Sequence, residues 1–94
     1  MFLPEETPMI KFWIKDGAVG LTQEYLDRVG TLWTIIPKNI SQLQEGKIIA
    51  NIEATKCLVP LRSPVTGTLV SFNEAVLDKP NTLNEHTPLF HYQP

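Results

Sequence analysis

The sequence predicts an all-β domain carrying one short α-helix. Three observations lead there. Eight prolines and five glycines are scattered over 94 residues, which interrupts the chain too often for long helices. The stretches between them are short, and several are rich in β-branched and aromatic residues, as in 31–36, Thr-Leu-Trp-Thr-Ile-Ile. Only 22–29 repeats its apolar residues at helical spacing.

Taken in order, residues 1–8, with Pro4, Glu5, Glu6 and Pro8, are expected to form a loose leader, and 9–94 a single domain. The first strand is placed at 9–14. Asp16-Gly17 is a hairpin signal, and 18–21 returns as the second strand. Thr22 is an N-cap for the helix 22–29, with Glu24 suited to its first turn. Leu21, Tyr25, Leu26 and Val29 share one face, while Gln23, Glu24, Asp27 and Arg28 face water. Gly30 stands where a helix end favours a left-handed residue. Residues 31–36 form the next strand, ended by Pro37. A polar connection over 38–46 follows, in which Ile40 and Leu43 can pack. Strands are then expected at 47–53, 58–61 and 65–72, with a break at Ser63-Pro64. Asn73 caps a single helical turn at 74–77, stopped by Pro80, and 83–92 supplies a last strand. Trp13 and Trp33 are expected in the core or at its edge. No internal repeat stands out, although the strand spacing suits a quasi-symmetric pair of sheets.

Composition removes several function classes. Apolar residues make up 43% and charged residues 19%, a globular balance. No apolar run exceeds three residues, against the roughly 20 that a membrane-spanning helix needs. The opening Met-Phe-Leu-Pro-Glu-Glu has neither the basic start nor the apolar core of an export signal, so a cytoplasmic location is expected. Eight Lys and Arg against ten Asp and Glu give a net charge of −2 with no basic run, which argues against nucleic acid as a partner. The lone cysteine, Cys57, leaves no internal disulfide and no Cys-rich zinc site. His86 and His91 lack a third ligand, so no metal site is expected. No nucleophile–base–acid order, phosphate-binding glycine loop or paired catalytic carboxylates stands out.

The informative stretch is 48–70. Two apolar strands flank the polar link Glu53-Ala54-Thr55-Lys56, and a hairpin turn there sets Lys56 at an exposed tip. Such a tip suits a covalently attached acyl arm, since a modifying enzyme can reach the amine and the finished arm can swing. A free lysine has a pKa of about 10.4, so the acylating enzyme must supply the base. On this local pattern alone, an ordinary solvated lysine is the favoured reading.

A set of segments changes that balance. Val19-Gly20-Leu21-Thr22, Gly46, Ile52-Glu53-Ala54-Thr55-Lys56, Ser63-Pro64-Val65-Thr66-Gly67, Asn73-Glu74-Ala75-Val76-Leu77, Pro80 and Leu83-Asn84 occur in this order. Together the chain resembles the glycine cleavage system H protein family. The resemblance implies the lipoyl-domain hammerhead, or barrel-sandwich hybrid, and a non-catalytic carrier with lipoic acid on Lys56. It implies a lipoate-protein ligase or octanoyl/lipoyl transferase and a dihydrolipoyl dehydrogenase as partners. Glycine decarboxylase and aminomethyltransferase join them if the chain serves as an aminomethyl shuttle. A biotin carrier has a related fold, but it carries methionine beside its lysine, where this chain has Thr55 and Cys57. Gly67 is expected at a tight turn or close strand approach near the modified hairpin, and Gly46 at a turn before it.

The chain also departs from the family. Lys11-Phe12-Trp13 stands where the family has His-Glu-Trp, and Pro60 where it has an aspartate. Two carboxylates near the cargo are thereby replaced, and burying an unpaired amine costs several kcal/mol. The family's Pro-Tyr-Gly-x-Gly-Trp ending does not follow either. A branch of short H-like proteins accompanies a sirtuin-type ADP-ribosyltransferase and a macrodomain hydrolase, and is tied to redox defence. Resemblance to that branch implies an acidic acceptor for ADP-ribose, with Asp27 the choice and Glu24 and Glu53 its rivals. A relay of octanoyl or lipoyl groups in lipoate assembly, and an unmodified binding module, stay open as well. Cys57 is read as a small hairpin side chain, the sharper alternative being a transient mixed disulfide with a lipoyl dithiol.

Overall fold

Asp16 and Gly17 turn the chain back on itself with positive φ angles of 51° and 81°, as a two-residue type I′ hairpin requires. The structure, a computed structural model, describes residues 11–94. The turn joins β1 (Phe12–Lys15) to β2 (Ala18–Leu21) with Lys15 opposite Ala18. Of the expected first strand, residues 9 and 10 lie outside the described residues, as does the expected leader.

The helix α1 (Gln23–Val29) begins where the sequence places it. Thr22 is extended, and its hydroxyl accepts the Tyr25 backbone N–H at 3.2 Å. Tyr25 and Val29 turn inward, and Gln23, Glu24 and Asp27 face solvent. Gly30 ends the helix with φ 86° and ψ −159°, so its φ is positive but its ψ lies outside the left-handed helical region. β3 (Leu32–Pro37), β5 (Ile48–Ala54) and β6 (Leu58–Arg62) form one antiparallel sheet in the order β3-β5-β6. The expected polar connection contains a two-residue strand, β4 (Gln42–Leu43), which buries Leu43 and pairs with β7 (Gly67–Phe72). A strand this short leaves no alternation to read. β8 (Pro88–Gln93) completes a five-stranded sheet ordered β1-β2-β8-β7-β4.

The second helix, α2 (Glu74–Asp78), leads into a 3-10 turn at Pro80–Thr82. Asn73 occupies the N-cap position without capping through its side chain. Its amide donates instead to the Pro88 carbonyl at 2.9 Å, tying the helix entry to β8. This second helix extends one residue beyond the single turn expected from the sequence.

The two sheets share one core. Val19, Leu21, Leu89 and Phe90 enter it from the larger sheet and Ile35, Ile49, Ile52 and Leu61 from the smaller, with Tyr25 and Val29 of α1 among them. The Ser63-Pro64 break is buried and self-satisfied: the Ser63 hydroxyl donates to the Val65 carbonyl at 2.7 Å and accepts the Val65 N–H at 3.2 Å. Among the described residues no helix is long and apolar enough to cross a membrane.

The two tryptophans differ from each other. Trp13 is half-buried over Gly20, its cross-strand partner, on the face of the sheet opposite Phe12 and Leu21, which corrects its placement in or beside the core. Trp33 is 64% exposed, which corrects its placement in or beside the core. The cause is a register shift between Leu32 and Thr34, where β3 pairs irregularly with β5. Such a bulge re-aims side chains that simple alternation would place.

Candidate functional site

The β5–β6 hairpin closes through Thr55, Lys56 and Cys57. Glu53 and Ala54, read from the sequence as part of the link, belong to β5. The tip is bonded to the end of α1 and the start of β3. The Lys56 backbone N–H donates to the Val29 carbonyl at 3.1 Å, and the Thr55 N–H to the Thr31 carbonyl at 2.9 Å. The Thr55 hydroxyl donates to that same Thr31 carbonyl at 3.3 Å. Ala54 N–H closes the hairpin on the Cys57 carbonyl at 2.9 Å.

A helix leaves its last carbonyls without internal partners. Lys56 serves two of those on α1. Besides its backbone bond to Val29, its Nζ donates to the Asp27 carbonyl at 3.4 Å. An ammonium at a helix C-terminus is electrostatically favoured. The Nζ contact is long for an N–H···O bond, so the amine is oriented without being locked. Gly30 makes the approach possible. A Cβ there would stand 3.2 Å from the Thr55 Cβ and 3.4 Å from the Lys56 Cγ, on a backbone already at positive φ.

Beneath the tip, Cys57 is half-buried and Tyr25 buried. Burial first, then the neighbouring Cys57 charge, push the Tyr25 hydroxyl up to about 12. Tyr25 is therefore neutral at any physiological pH. Its ring lies 5.7 Å from the Lys11 Nζ, within cation–π reach.

Two depressions lie on either side of the contact between α1 and the hairpin tip, and Lys56 lines one of them. One, of about 410 Å³, lies between α1 and the segment after α2, with a mixed lining in which Asp27, Asn81 and Asn84 alternate with Leu26, Leu32 and Leu83. The other, of about 420 Å³, is shallow and contains Lys56 itself with Trp33, Glu53, Thr55, Cys57 and Leu58. Leu58 is 69% exposed.

The structure brings Lys56 and Asp27 together, which the sequence did not suggest. Asp27 is exposed, and its carboxylate accepts the Gln23 side-chain amide at 2.7 Å. Glu24 and Glu53 are also exposed. Phe12 packs against the core and Pro60 is exposed. Gly67 is crowded by the Gln93 backbone, the close strand approach expected, but it lies in the five-stranded sheet and not in the sheet that carries the hairpin. Gly46 takes φ 89° in the turn before β5. His86 is exposed and 3.5 Å from Glu85, and no group of three or more potential metal ligands gathers among the described residues.

The family model described as glycine cleavage H-protein matches residues 6–89. A glycine cleavage system H protein of Myxococcus xanthus (strain DK1622) is 39% identical over 67 residues, covering 70% of this chain and 52% of the relative. Glycine cleavage system H protein 4 of Aquifex aeolicus (strain VF5) is 33% identical over 75 residues, covering 77% and 44%. The crystal structure of a glycine cleavage system H protein from Mycobacterium marinum matches with a TM-score of 0.71 at 27% identity, over 82% of this chain and 65% of that one. The chain spans about half the length of the curated relatives it matches.

Proposed function

The chain belongs to the glycine cleavage H-protein family, and from that premise we propose that it is a non-catalytic lipoyl carrier whose arm is attached to Lys56. One observation carries the reading: Lys56 is exposed at a hairpin tip whose backbone is fixed to α1 and β3, with its amine held only by a long contact.

The residues around Lys56 fit a covalently attached arm. The tip is open to an approaching enzyme, and the three bonds from Thr55 and Lys56 to Thr31 and Val29 fix where the amine is presented. Lys56 first leaves the Asp27 carbonyl and gives one proton to a base of the acylating enzyme. Its Nζ then attacks the carbonyl carbon of an activated acyl group. The N–C bond forms as the bond to the leaving group breaks, the leaving group keeps that electron pair, and the second proton leaves the nitrogen for a base of the enzyme or the departing group, which gives the neutral amide. When bound, a lipoyl group supplies a disulfide–dithiol couple on a long tether. The chain itself contributes position, through the hairpin, and leaves chemistry to its partners. A lipoate-protein ligase or an octanoyl/lipoyl transferase would load it, and a dihydrolipoyl dehydrogenase would exchange electrons with it.

The aminomethyl shuttle with glycine decarboxylase and aminomethyltransferase is the alternative. Phe12 and Pro60 weaken its support, because neither can accept from or neutralise an amine cargo. The acyl relay in lipoate assembly needs only Lys56 and is not weakened by them. Modification of Asp27 with ADP-ribose, coupled to a redox role, is supported only by the exposure of Asp27 on the outer face of α1.

Incubating the chain with lipoate, ATP and a lipoate ligase tests the carrier reading. Intact mass should rise by one lipoyl group in the wild type and stay unchanged in Lys56→Arg. An increment that persists in Lys56→Arg would place the modification elsewhere.

A further inference from the structure

We propose that Trp33 and Leu58 form the anchor on which the enzyme that acylates Lys56 docks. The proposal rests on the carrier reading of Lys56 and names the surface through which that reading is carried out.

Among the exposed large apolar residues, Trp33 and Leu58 are the two at 64% and 69% exposure that share a depression with Lys56. They come from different strands, β3 and β6, and the intervening β5 contributes Glu53. The β3 bulge between Leu32 and Thr34 accompanies the outward placement of Trp33. Leaving an indole in water forgoes the burial that its size would bring. Tryptophan is the residue type enriched at interface hot spots, and Leu58 widens the apolar surface beside it.

The occupant follows from Lys56. Any enzyme that acylates its Nζ must close around the amine to exclude water and present an acyl carbonyl. Trp33 and Leu58 line the same shallow depression, so an enzyme that closes on the amine from this side covers them too. The depression on the α1 side of Lys56 is a poorer choice. Leu26, Leu32 and Leu83 line it together with Asp27, Asn81 and Asn84, but Lys56 does not, so an enzyme seated there would not enclose the amine. A second copy of the chain is also a poor occupant. A stable dimer buries roughly 800 Å² per partner, whereas this depression holds two apolar anchors with Glu53 and Lys56 beside them. Two anchors suit an encounter that must end once the acyl group has moved. Glu53 and Lys56 would set the orientation at its rim, and the indole would supply most of the contact.

The test is the rate of Lys56 acylation by a lipoate ligase with lipoate and ATP, followed by intact mass over a range of carrier concentrations. Trp33→Ala should lower kcat/KM roughly tenfold or more, chiefly through a raised KM. Leu58→Ser should act in the same direction, and Trp33→Phe should retain part of the activity. Asn81→Ala, on the other depression, should match the wild type. Because Trp33 and Leu58 are exposed, thermal unfolding of these variants should stay within a few degrees of the wild type, which separates docking from folding. Acylation of Trp33→Ala and Leu58→Ser at the wild-type rate would overturn the proposal. So would a loss confined to Asn81→Ala, or a concentration-dependent dimer in sedimentation that Trp33→Ala dissolves. If the wild type itself takes up no lipoyl group, the carrier reading fails first, and the docking surface with it.

Discussion

Gly30 and Tyr25 stand close to the Lys56 hairpin, one with no side chain to obstruct the tip and one buried near Cys57. Gly30 allows the tip to rest on the end of α1. In Gly30→Ala the new methyl meets the Thr55 Cβ on a backbone at φ 86°. The variant should lose at least about 1 kcal/mol in urea unfolding, since an L residue is strained at positive φ. It should also be acylated more slowly than the wild type, because the amine is presented from a displaced tip. Tyr25 gives a pH signature. The unfolded chain ionises this hydroxyl at the ordinary value of 10.0, and the folded chain at about 12. Between those values the folded state holds more protons, so stability falls as pH rises. It is fully present below about pH 10. The urea midpoint should decline from pH 10 to 12, and in Tyr25→Phe that decline should be shallower by the share this group carries. Equal slopes in the two proteins would remove Tyr25 from the account.

At the level of elements, α1 and the first hairpin were legible in the sequence because local chemistry alone decides them. Thr22 caps, the apolar spacing of Tyr25 and Val29 sets the inward face, and Asp16-Gly17 supplies the positive φ angles of the turn. Thr22→Ala should cost about 1 kcal/mol by removing the acceptor for the Tyr25 N–H, measurable as a lowered urea midpoint. A midpoint unchanged from the wild type would show that the cap adds nothing. β4 was not legible, because Gln42–Leu43 exists only through its pairing with Thr68 and Gly67 on a distant strand. Trp33 was misplaced for a related reason. The β3 bulge is a property of pairing with β5, and no run of residues within β3 announces it. Asn73 was assigned the correct position but the wrong partner, since the Pro88 carbonyl that its side chain meets lies fifteen residues away. Local signals found the hairpin that carries Lys56. They could not show that its amine lies over the Asp27 carbonyl, a contact made across 29 residues of chain.

For the molecule as a whole, two sheets closed on one core leave a hairpin tip, a helix end and a strand start meeting at one place. The core residues come from both sheets and from α1, and the tip is bonded through Val29 to the helix that helps close this core. That arrangement can present a tether in a constant position while contributing no catalytic group of its own. The measurement that bears most directly on this is peptide mapping of the chain purified from cells supplied with lipoate and a lipoate ligase. One lipoyl group per chain is expected, on the peptide containing Lys56, and none in Lys56→Arg. A chain recovered bare under those conditions, or carrying the group on another lysine such as Lys47 or Lys79, would contradict it.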